Sequence, residues 1–504
     1  MSESSGGEFV TFGPGSPTSL PAPVPPGDPA APRPGRGRRL VAGGLATVLV
    51  GAVVAGGLVV GQFLSGGGTQ PEDVLPAATV AFAKIDLDPS AGQKINALRL
   101  MDKFPRARSQ GDDLKAALVQ KWFDDNPYGL TYRHDLAPWL GDRAAVAAVA
   151  TPGGKDDFTE LLALQFTDRD AMTTALDRAD AAMGKEDGTG FHYAVRDDYV
   201  LITRTRADAT AFGDTAAVLA DDPTYAADAE RIDAADQIVL GWVNLGHVVD
   251  LLPANERRTL AEDLGSAHPK GSFIAGLHVE PSYVELAGQT HGFDPTGTNL
   301  MAASHPGTSL VRGLPSDVTG AVSVTGLGPA LAKLWDRYQA NDALGLAGQA
   351  QQYGLHLPGD IEAVFGSELA VGVKARQHTV DVVSRVATDR PERAQQVVEQ
   401  VVGMTGEPDF QVRSVDGGYV AGTDPAMLDT AAAGDGGLGS NPAFTEAVKD
   451  ADRANAVLYV NIADLVRLYG NAKDKRQLAP LSAFGMSSTG TSSDGQFTMR
   501  LTVK

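Results

Sequence analysis

Six short segments of this chain occur twice in the same order, and that repetition limits the possible folds more than any other feature. Leu75-Pro-Ala-Ala-Thr-Val is answered by Leu314-Pro-Ser-Asp-Val-Thr, and Leu140-Gly-Asp-Arg-Ala-Ala-Val by Phe365-Gly-Ser-Glu-Leu-Ala-Val. Gln165-Phe-Thr-Asp-Arg is echoed by Arg385-Val-Ala-Thr-Asp-Arg, and Arg196-Asp-Asp-Tyr-Val by Val415-Asp-Gly-Gly-Tyr-Val. Asp222-Pro-Thr-Tyr matches Asn441-Pro-Ala-Phe, and Ile238-Val-Leu-Gly-Trp-Val-Asn-Leu matches Ala456-Val-Leu-Tyr-Val-Asn-Ile. Leu314 lies 239 residues after Leu75, and Tyr459 lies 217 after Trp242, a drift that small loop differences produce.

Each copy contains a smaller theme, a strand that passes into a helix and later a β-hairpin. The strand-to-helix pieces are 79–100, 237–252, 318–338 and 456–469, and the hairpins are 144–166, 273–290, 369–386 and 483–503. Pro152-Gly-Gly, Glu280-Pro-Ser, Arg376-Gln-His and Gly490-Thr-Ser-Ser-Asp-Gly supply the hairpin turns. Thr167-Asp-Arg-Asp and Thr388-Asp-Arg-Pro-Glu place capping side chains before periodic apolar stretches. Asp222-Pro and Asn441-Pro put proline just inside a helix start, where its missing N–H costs nothing. These signals predict an α+β fold of two pseudo-symmetric lobes, 74–292 and 313–504, joined by a connector at 293–312. Each lobe is expected to be mainly antiparallel sheet with helices packed on one face.

Ahead of the repeats lies an apolar run, 40–64, with no charged residue between Arg39 and Glu72. It is long enough to cross a bilayer as a helix, which needs roughly 20 apolar residues. A cleaved signal peptide has a shorter core, roughly 7–15 residues. Arg36, Arg38 and Arg39 flank only the N-terminal side, so the positive-inside rule puts 1–39 in the cytoplasm and the body outside. The segment 1–39 is rich in Pro, Gly and Ser and reads as a disordered tail, and 65–73 reads as a linker. The expected partner of 40–64 is the lipid bilayer of the plasma membrane, crossed once.

The net charge is −20. Three acidic and four basic residues in 1–39 give that tail +1, so the remainder carries −21. Nucleic-acid binding needs a basic footprint and is disfavoured. Cysteine is absent, which removes disulfides, thiolate nucleophiles and cysteine-ligated metal centres.

The familiar catalytic strings are missing. Gly153-Gly-Lys155 is followed by Asp156 and lacks the first glycine of a phosphate loop, and Val324-Thr-Gly-Leu-Gly-Pro329 lacks the third glycine of a dinucleotide turn. No Gly-x-Ser-x-Gly occurs, and Ser90 and Lys94 have the wrong spacing for a serine–lysine pair. His134, His192, His247, His268, His278, His291, His305, His356 and His378 form no His-x-x-x-His or His-x-His pair. His278 and His247 read as surface or satisfied polar residues. Asp86-Leu-Asp88-Pro-Ser90 begins like a calcium loop, but glycine falls one place late and Ala97 stands at position twelve. Trp242, matched by Tyr459 in the second copy, reads as core packing. No residue is assigned as catalytic, cofactor-binding or metal-ligating, and no cofactor is expected.

Pro71-Glu-Asp-Val-Leu-Pro-Ala, Ala81-Phe-Ala-Lys-Ile-Asp-Leu-Asp-Pro-Ser-Ala-Gly-Gln-Lys and Phe104-Pro, behind a Pro-rich tail and one span, resemble a family of membrane-anchored proteins of high-GC Gram-positive bacteria. That family is classed as a domain of unknown function, and the resemblance implies no activity and no catalytic residue. The sequence favours a non-enzymatic, membrane-tethered, extracytoplasmic binding or scaffolding protein that meets an envelope protein or ligand. A cell-envelope hydrolase, with a site formed only in tertiary structure, is one alternative. A carrier of a lipid-like ligand is the other.

Overall fold

Strand after strand in this chain is apolar on both sides. Residues Tyr199–Thr203 are all buried, as are Gly418–Gly422, and such runs belong to sheets covered on two faces. The computed structural model describes residues 68–86, 91–104, 131–151, 158–183, 192–252, 254–264, 270–292, 309–339, 345–405, 410–434, 437–491 and 493–504. The tail 1–39 and the apolar run 40–64 lie outside the described residues, as do most of the connector 293–312 and the 87–90 part of the calcium-like string. Among the described residues no helix is long and apolar enough to cross a membrane.

The first half runs α1 Pro71–Val74, β1 Thr79–Asp86, α2 Ala91–Asp102, β2 Leu140–Ala150, β3 Phe158–Phe166, α3 Arg169–Met183, β4 His192–Arg196 and β5 Tyr199–Thr203. It continues through α4 Arg206–Asp214, α5 Pro223–Arg231, β6 Val239–Asn244, α6 Leu245–Leu251, α7 Ala254–Leu264, β7 Ser272–Glu280 and β8 Tyr283–His291. The second half runs α8 Ser309–Arg312, β9 Gly320–Thr325, α9 Leu327–Gln339, α10 Leu346–Gln352, α11 Gly359–Phe365, β10 Glu368–Ala375, β11 Val380–Ala387 and α12 Pro391–Thr405. It ends with β12 Gln411–Val415, β13 Gly418–Gly422, α13 Pro425–Ala433, α14 Pro442–Ala447, β14 Ala456–Val460, α15 Ile462–Tyr469, α16 Ala472–Gln477, β15 Leu481–Gly490 and β16 Gly495–Val503.

The fold is α+β, and its strands form one antiparallel sheet of 16 in the order β12-β13-β11-β10-β9-β14-β15-β16-β8-β7-β6-β1-β2-β3-β5-β4. Read outward from β8, the order is 8-7-6-1-2-3-5-4; read outward from β16, it is 16-15-14-9-10-11-13-12. Each strand of one half therefore has a counterpart eight places on. The two halves join where β8 pairs with β16 from Tyr283↔Thr502 to Thr290↔Gly495. Arg500 of β16 donates to Glu285 of β8 at 2.6 Å across that joint.

The matched caps fall at matched places. The Asp222 carboxylate accepts the N–H of Thr224 and Tyr225, and the Asn441 amide oxygen accepts those of Ala443 and Phe444, each with proline as the first helical residue. Asn244 ends β6 and Asn461 directly follows β14, and they cap α6 and α15 through the N–H of His247 and Asp464.

The expectation of helices on one face is corrected. On β3 and β5, Leu161, Ala163, Tyr199 and Leu201 join a cluster with Phe212 of α4 and Tyr225 of α5. The alternate residues Leu164, Val200 and Ile202 join another cluster with Met172 and Leu176 of α3. The second half repeats this: Ala370 and Val420 pack with α13 and α14, while Tyr419 and Ala421 pack with α11 and α12. Helices cover both faces because these strands are apolar on both, which a one-sided alternation does not allow. We call the face carrying α4, α5, α13 and α14 the inner face, and the one carrying α3 and α12 the outer face.

Trp242 and Tyr459 are both buried on the inner face, and each meets the aromatic ring that follows its matched proline cap. Tyr225 lies edge-on to Trp242 at 5.5 Å, and Phe444 lies edge-on to Tyr459 at 5.3 Å. The Tyr459 hydroxyl is buried with no hydrogen-bond partner, and burial pushes its pKa up to about 12. Tyr459→Phe is therefore expected to raise the unfolding free energy by about 1 kcal/mol, because an unsatisfied buried hydroxyl disappears and the ring contact stays. A denaturant midpoint that falls would contradict this.

Candidate functional site

Cross-strand register builds a continuous apolar surface on the outer face around the joint. Val371 of β10 lies opposite Val322 of β9, Val322 opposite Leu458 of β14, Leu458 opposite Met486 of β15, Met486 opposite Met499 of β16, and Met499 opposite Leu286 of β8. The row toward one end of the strands reads Val373, Gly320, Val460, Phe484, Leu501, Val284. The row toward the other end reads Leu369, Val324, Ala456, Ser488, Phe497, Gly288. None of these residues is charged, and Ser488 alone has a polar side chain. Val322 is 41% exposed and Leu458 38% exposed, unusual for the centre of a sheet, and Met486 and Met499 beside them are half-buried.

The helices leave this floor open because the two halves cover it differently. In the first half, α2 lies on β7, and its Ala97 and Leu100 pack with Leu277 and Leu286. Its counterpart α9 instead packs on α11. Glycine allows that contact: a Cβ on Gly328 would sit 2.6 Å from the Gly366 carbonyl oxygen and 3.2 Å from Glu362 Cα. With α9 drawn aside, no helix among the described residues crosses the middle of β9, β14, β15 and β16 on the outer face, and α15 leans on β15 at the Val460 end. The bordering helices also present apolar side chains to solvent, Ile95 and Leu98 on α2 and Leu334 on α9.

The α11 wall is held by Asp360. Its carboxylate accepts two bonds from Arg393, at 2.7 and 2.5 Å, and the His356 N–H at 2.6 Å. Burial pushes the Asp360 carboxyl up, but the Arg393 fork and the His356 N–H outweigh it and hold the group below its ordinary value. A carboxyl depressed on folding stabilises the protein above its unfolded pKa, about 3.9, and loses that contribution as pH falls through the folded value. Asp360→Asn is thus expected to cost about 2 kcal/mol near pH 7, with the gap from the parent closing below about pH 4. Urea midpoints measured along a pH series check it.

Buried charges occur elsewhere, on the inner face beneath the segment that enters the fold. Lys84 donates to Glu72 at 2.7 Å and to the Gln70 side-chain oxygen at 3.1 Å, and the Tyr225 hydroxyl donates to Glu72 at 3.0 Å. Burial first, and the Glu72 charge second, raise the Tyr225 pKa. Two residues along β1, Asp86 accepts Arg143 Nε at 2.9 Å. Tyr199 donates to the Thr69 carbonyl at 3.0 Å. These contacts fasten 69–74 to the sheet, although the second Glu72 carboxylate oxygen is buried without a hydrogen-bond partner. Asp86, the first residue of the calcium-like string, is spent on Arg143.

Of the histidines, His278 has carboxylates at both ring nitrogens, Asp236 at 3.3 Å and Glu280 at 2.9 Å, with the Gln93 amide beside it. It is a satisfied polar residue, as its strand position suggested. His291 meets Asp494 at 2.5 Å near the β15–β16 turn, and His356 lies beside Arg393. Among the described residues no Ser or Thr hydroxyl is hydrogen-bonded to a histidine, and no group of three metal-binding side chains occurs.

No family model matches the chain, and the search of curated proteins finds none similar to it. Among solved structures, crystal form III of TP0453 aligns over 44% of this chain and 80% of that one, at 10% identity and a TM-score of 0.21. A score that low does not establish a shared fold.

Proposed function

We propose that this chain is a non-enzymatic, membrane-tethered binding protein of the cell envelope, anchored by 40–64, with its body outside the plasma membrane. The uncovered outer face between α2 and α9 is the surface that meets its ligand. One observation carries the reading: several neighbouring strands present uncharged side chains on a face that no helix among the described residues closes, with Val322 and Leu458 partly exposed. Monomeric proteins rarely leave such patches without a use. The tether, the orientation and the resemblance to membrane-anchored envelope proteins rest on the sequence. The matched strand orders support two pseudo-symmetric lobes made by duplication.

A lipid-like ligand is the favoured occupant of that face, ahead of an extended peptide. The floor offers almost no hydrogen-bonding side chain, and a peptide laid on it would bury backbone groups without partners, whereas an alkyl chain has none to satisfy. Met486 and Met499, unbranched and polarizable, suit a ligand of variable shape. The hydrolase alternative has less support, because no hydroxyl is paired with a histidine among the described residues.

A photo-crosslinking amino acid placed at Leu458 of the full chain in cells tests the proposal. Adducts to lipid or to an envelope component are expected there and not at Arg453, an exposed control outside the floor. Equal labelling at the two positions would refute it.

A further inference from the structure

The antiparallel register sorts the strand ends into two rims. One rim carries Asp86, Arg143, the turn between Glu280 and Tyr283, Leu481, Val460, Gly320 and the turn between Ala375 and Val380. Gly68, the first described residue, is on this rim: a Cβ there would sit 3.0 Å from the Arg143 guanidinium. The apolar run ends at Leu64, so few residues separate it from this rim.

The same rim carries α15, α16 and the β10–β11 turn. Ile462, Leu465, Val466 and Tyr469 form an apolar stripe on α15, yet that helix has no fully buried residue. Tyr469 is 56% exposed, and its hydroxyl donates to the Arg376 carbonyl at 2.6 Å, which ties α15 to the turn. Val380 is 55% exposed and Leu478 39% exposed beside them.

Basic residues complete the patch. Lys473, Lys475 and Arg476 on α16 are exposed, and among the described residues none has an acidic partner within ion-pair distance. Asp474 accepts the Asn471 N–H at the start of α16, and Asp464 is taken by Arg467. Nearby, Lys374 pairs with Asp317, and Arg376 with Asp381 and Asp424. Three cations without an acidic partner thus sit on one short helix of a body whose overall charge is strongly negative.

We infer that this rim, led by α15 and α16, docks on the surface of an anionic lipid bilayer; the inference rests on the proposed tether. Unpaired Lys and Arg attract anionic headgroups, and an exposed Tyr with aliphatic neighbours suits the headgroup boundary. An acidic soluble protein would use the cations and leave the aliphatic side chains without a role. Gly68 and α16 lie roughly 30 Å apart along the sheet at about 5 Å per strand, so α16 is a contact separate from the tether. Docking would set the Val460–Phe484 end of the open floor toward the lipid.

The chain has no cysteine, so single labels can be placed without background. Leu478→Cys and, on the opposite rim, Arg453→Cys carry a fluorophore in the full chain. Each is mixed with vesicles of phosphatidylcholine, alone or with phosphatidylglycerol, containing a headgroup-labelled quencher. Quenching at position 478 is expected to be about twofold or more stronger with phosphatidylglycerol, to vanish in Lys473→Glu/Lys475→Glu/Arg476→Glu, and to be absent at position 453. Flotation with pure phosphatidylcholine vesicles reads the tether alone. Flotation without charge-dependent quenching overturns the docking surface and keeps the tether. Quenching on phosphatidylglycerol without flotation on phosphatidylcholine overturns the tether and keeps the surface. Loss of both overturns both.

Discussion

Arg143→Met is expected to lower the unfolding free energy by about 3–5 kcal/mol, seen as a lower urea midpoint with an unchanged slope. The guanidinium and the Asp86 carboxylate have side-chain exposures of 3% and 4% and lie directly opposite each other on β1 and β2. Removing the cation leaves a carboxylate in the interior without its counter-charge, and that loss far exceeds what an exposed pair contributes. The double variant Asp86→Leu/Arg143→Met is expected to recover most of the stability, since neither charge then remains to be desolvated. Failure of the second change to rescue the first would mean that Arg143 acts through its packing beside Gly68. The same clasp holds the chain where it enters the fold, so protease cleavage between residues 68 and 75 should be faster in the single variant.

Trp242→Ala is expected to cost a similar amount, about 3–5 kcal/mol, for a different reason. The indole is almost completely buried on β6, lies edge-on to Tyr225, and packs near Phe82 of β1 at 6.4 Å. Truncation opens a cavity between sheet and α5. It also takes a donor from Asp228, whose Oδ2 accepts the indole N–H at 2.9 Å, although Arg231 still holds Oδ1 at 2.7 Å. Trp242→Phe keeps much of the volume and loses only that bond, so it should fall between parent and alanine variant. Thermal or urea unfolding of the three proteins checks the order.

The α+β antiparallel architecture was legible because its hairpins are local. Turn residues and flanking alternation sit within about twenty positions of each other, and β2–β3, β7–β8, β10–β11 and β15–β16 lie where those signals put them. The hairpins β4–β5 and β12–β13 were not read as strands. Their turns, at Asp197 and Gly417, take positive φ inside the polar strings Arg196-Asp-Asp and Asp416-Gly-Gly, which look like loop. The repeated Tyr-Val that follows each turn was the available clue.

The open face left no local trace. Met486 and Met499 share the local β15–β16 hairpin, but Val322, Leu458 and Leu286 join them only through pairings between strands distant in sequence, and each is an ordinary apolar residue in its own segment. The failure to cover it is less visible still, since it depends on Gly328 letting α9 lean on α11. Charge pairing was equally hidden: Asp86 looked like the head of a loop because its partner lies on the next strand.

The joint between β8 and β16 has a consequence for any severed form of this protein. The outer margins of the sheet are the five-residue strands β4 and β12, short enough to discourage further pairing. Halves that separated after a cut between residues 292 and 309 would each expose a new margin, a nine-residue strand with an apolar side and unpaired backbone groups. Each fragment would seek a strand to replace the one it lost. Two copies of the same fragment, pairing β8 with β8, would rebuild the antiparallel contact under true twofold symmetry. The covalent link between the halves thus turns what would otherwise be a self-associating unit into a single chain whose most adhesive strands are already paired.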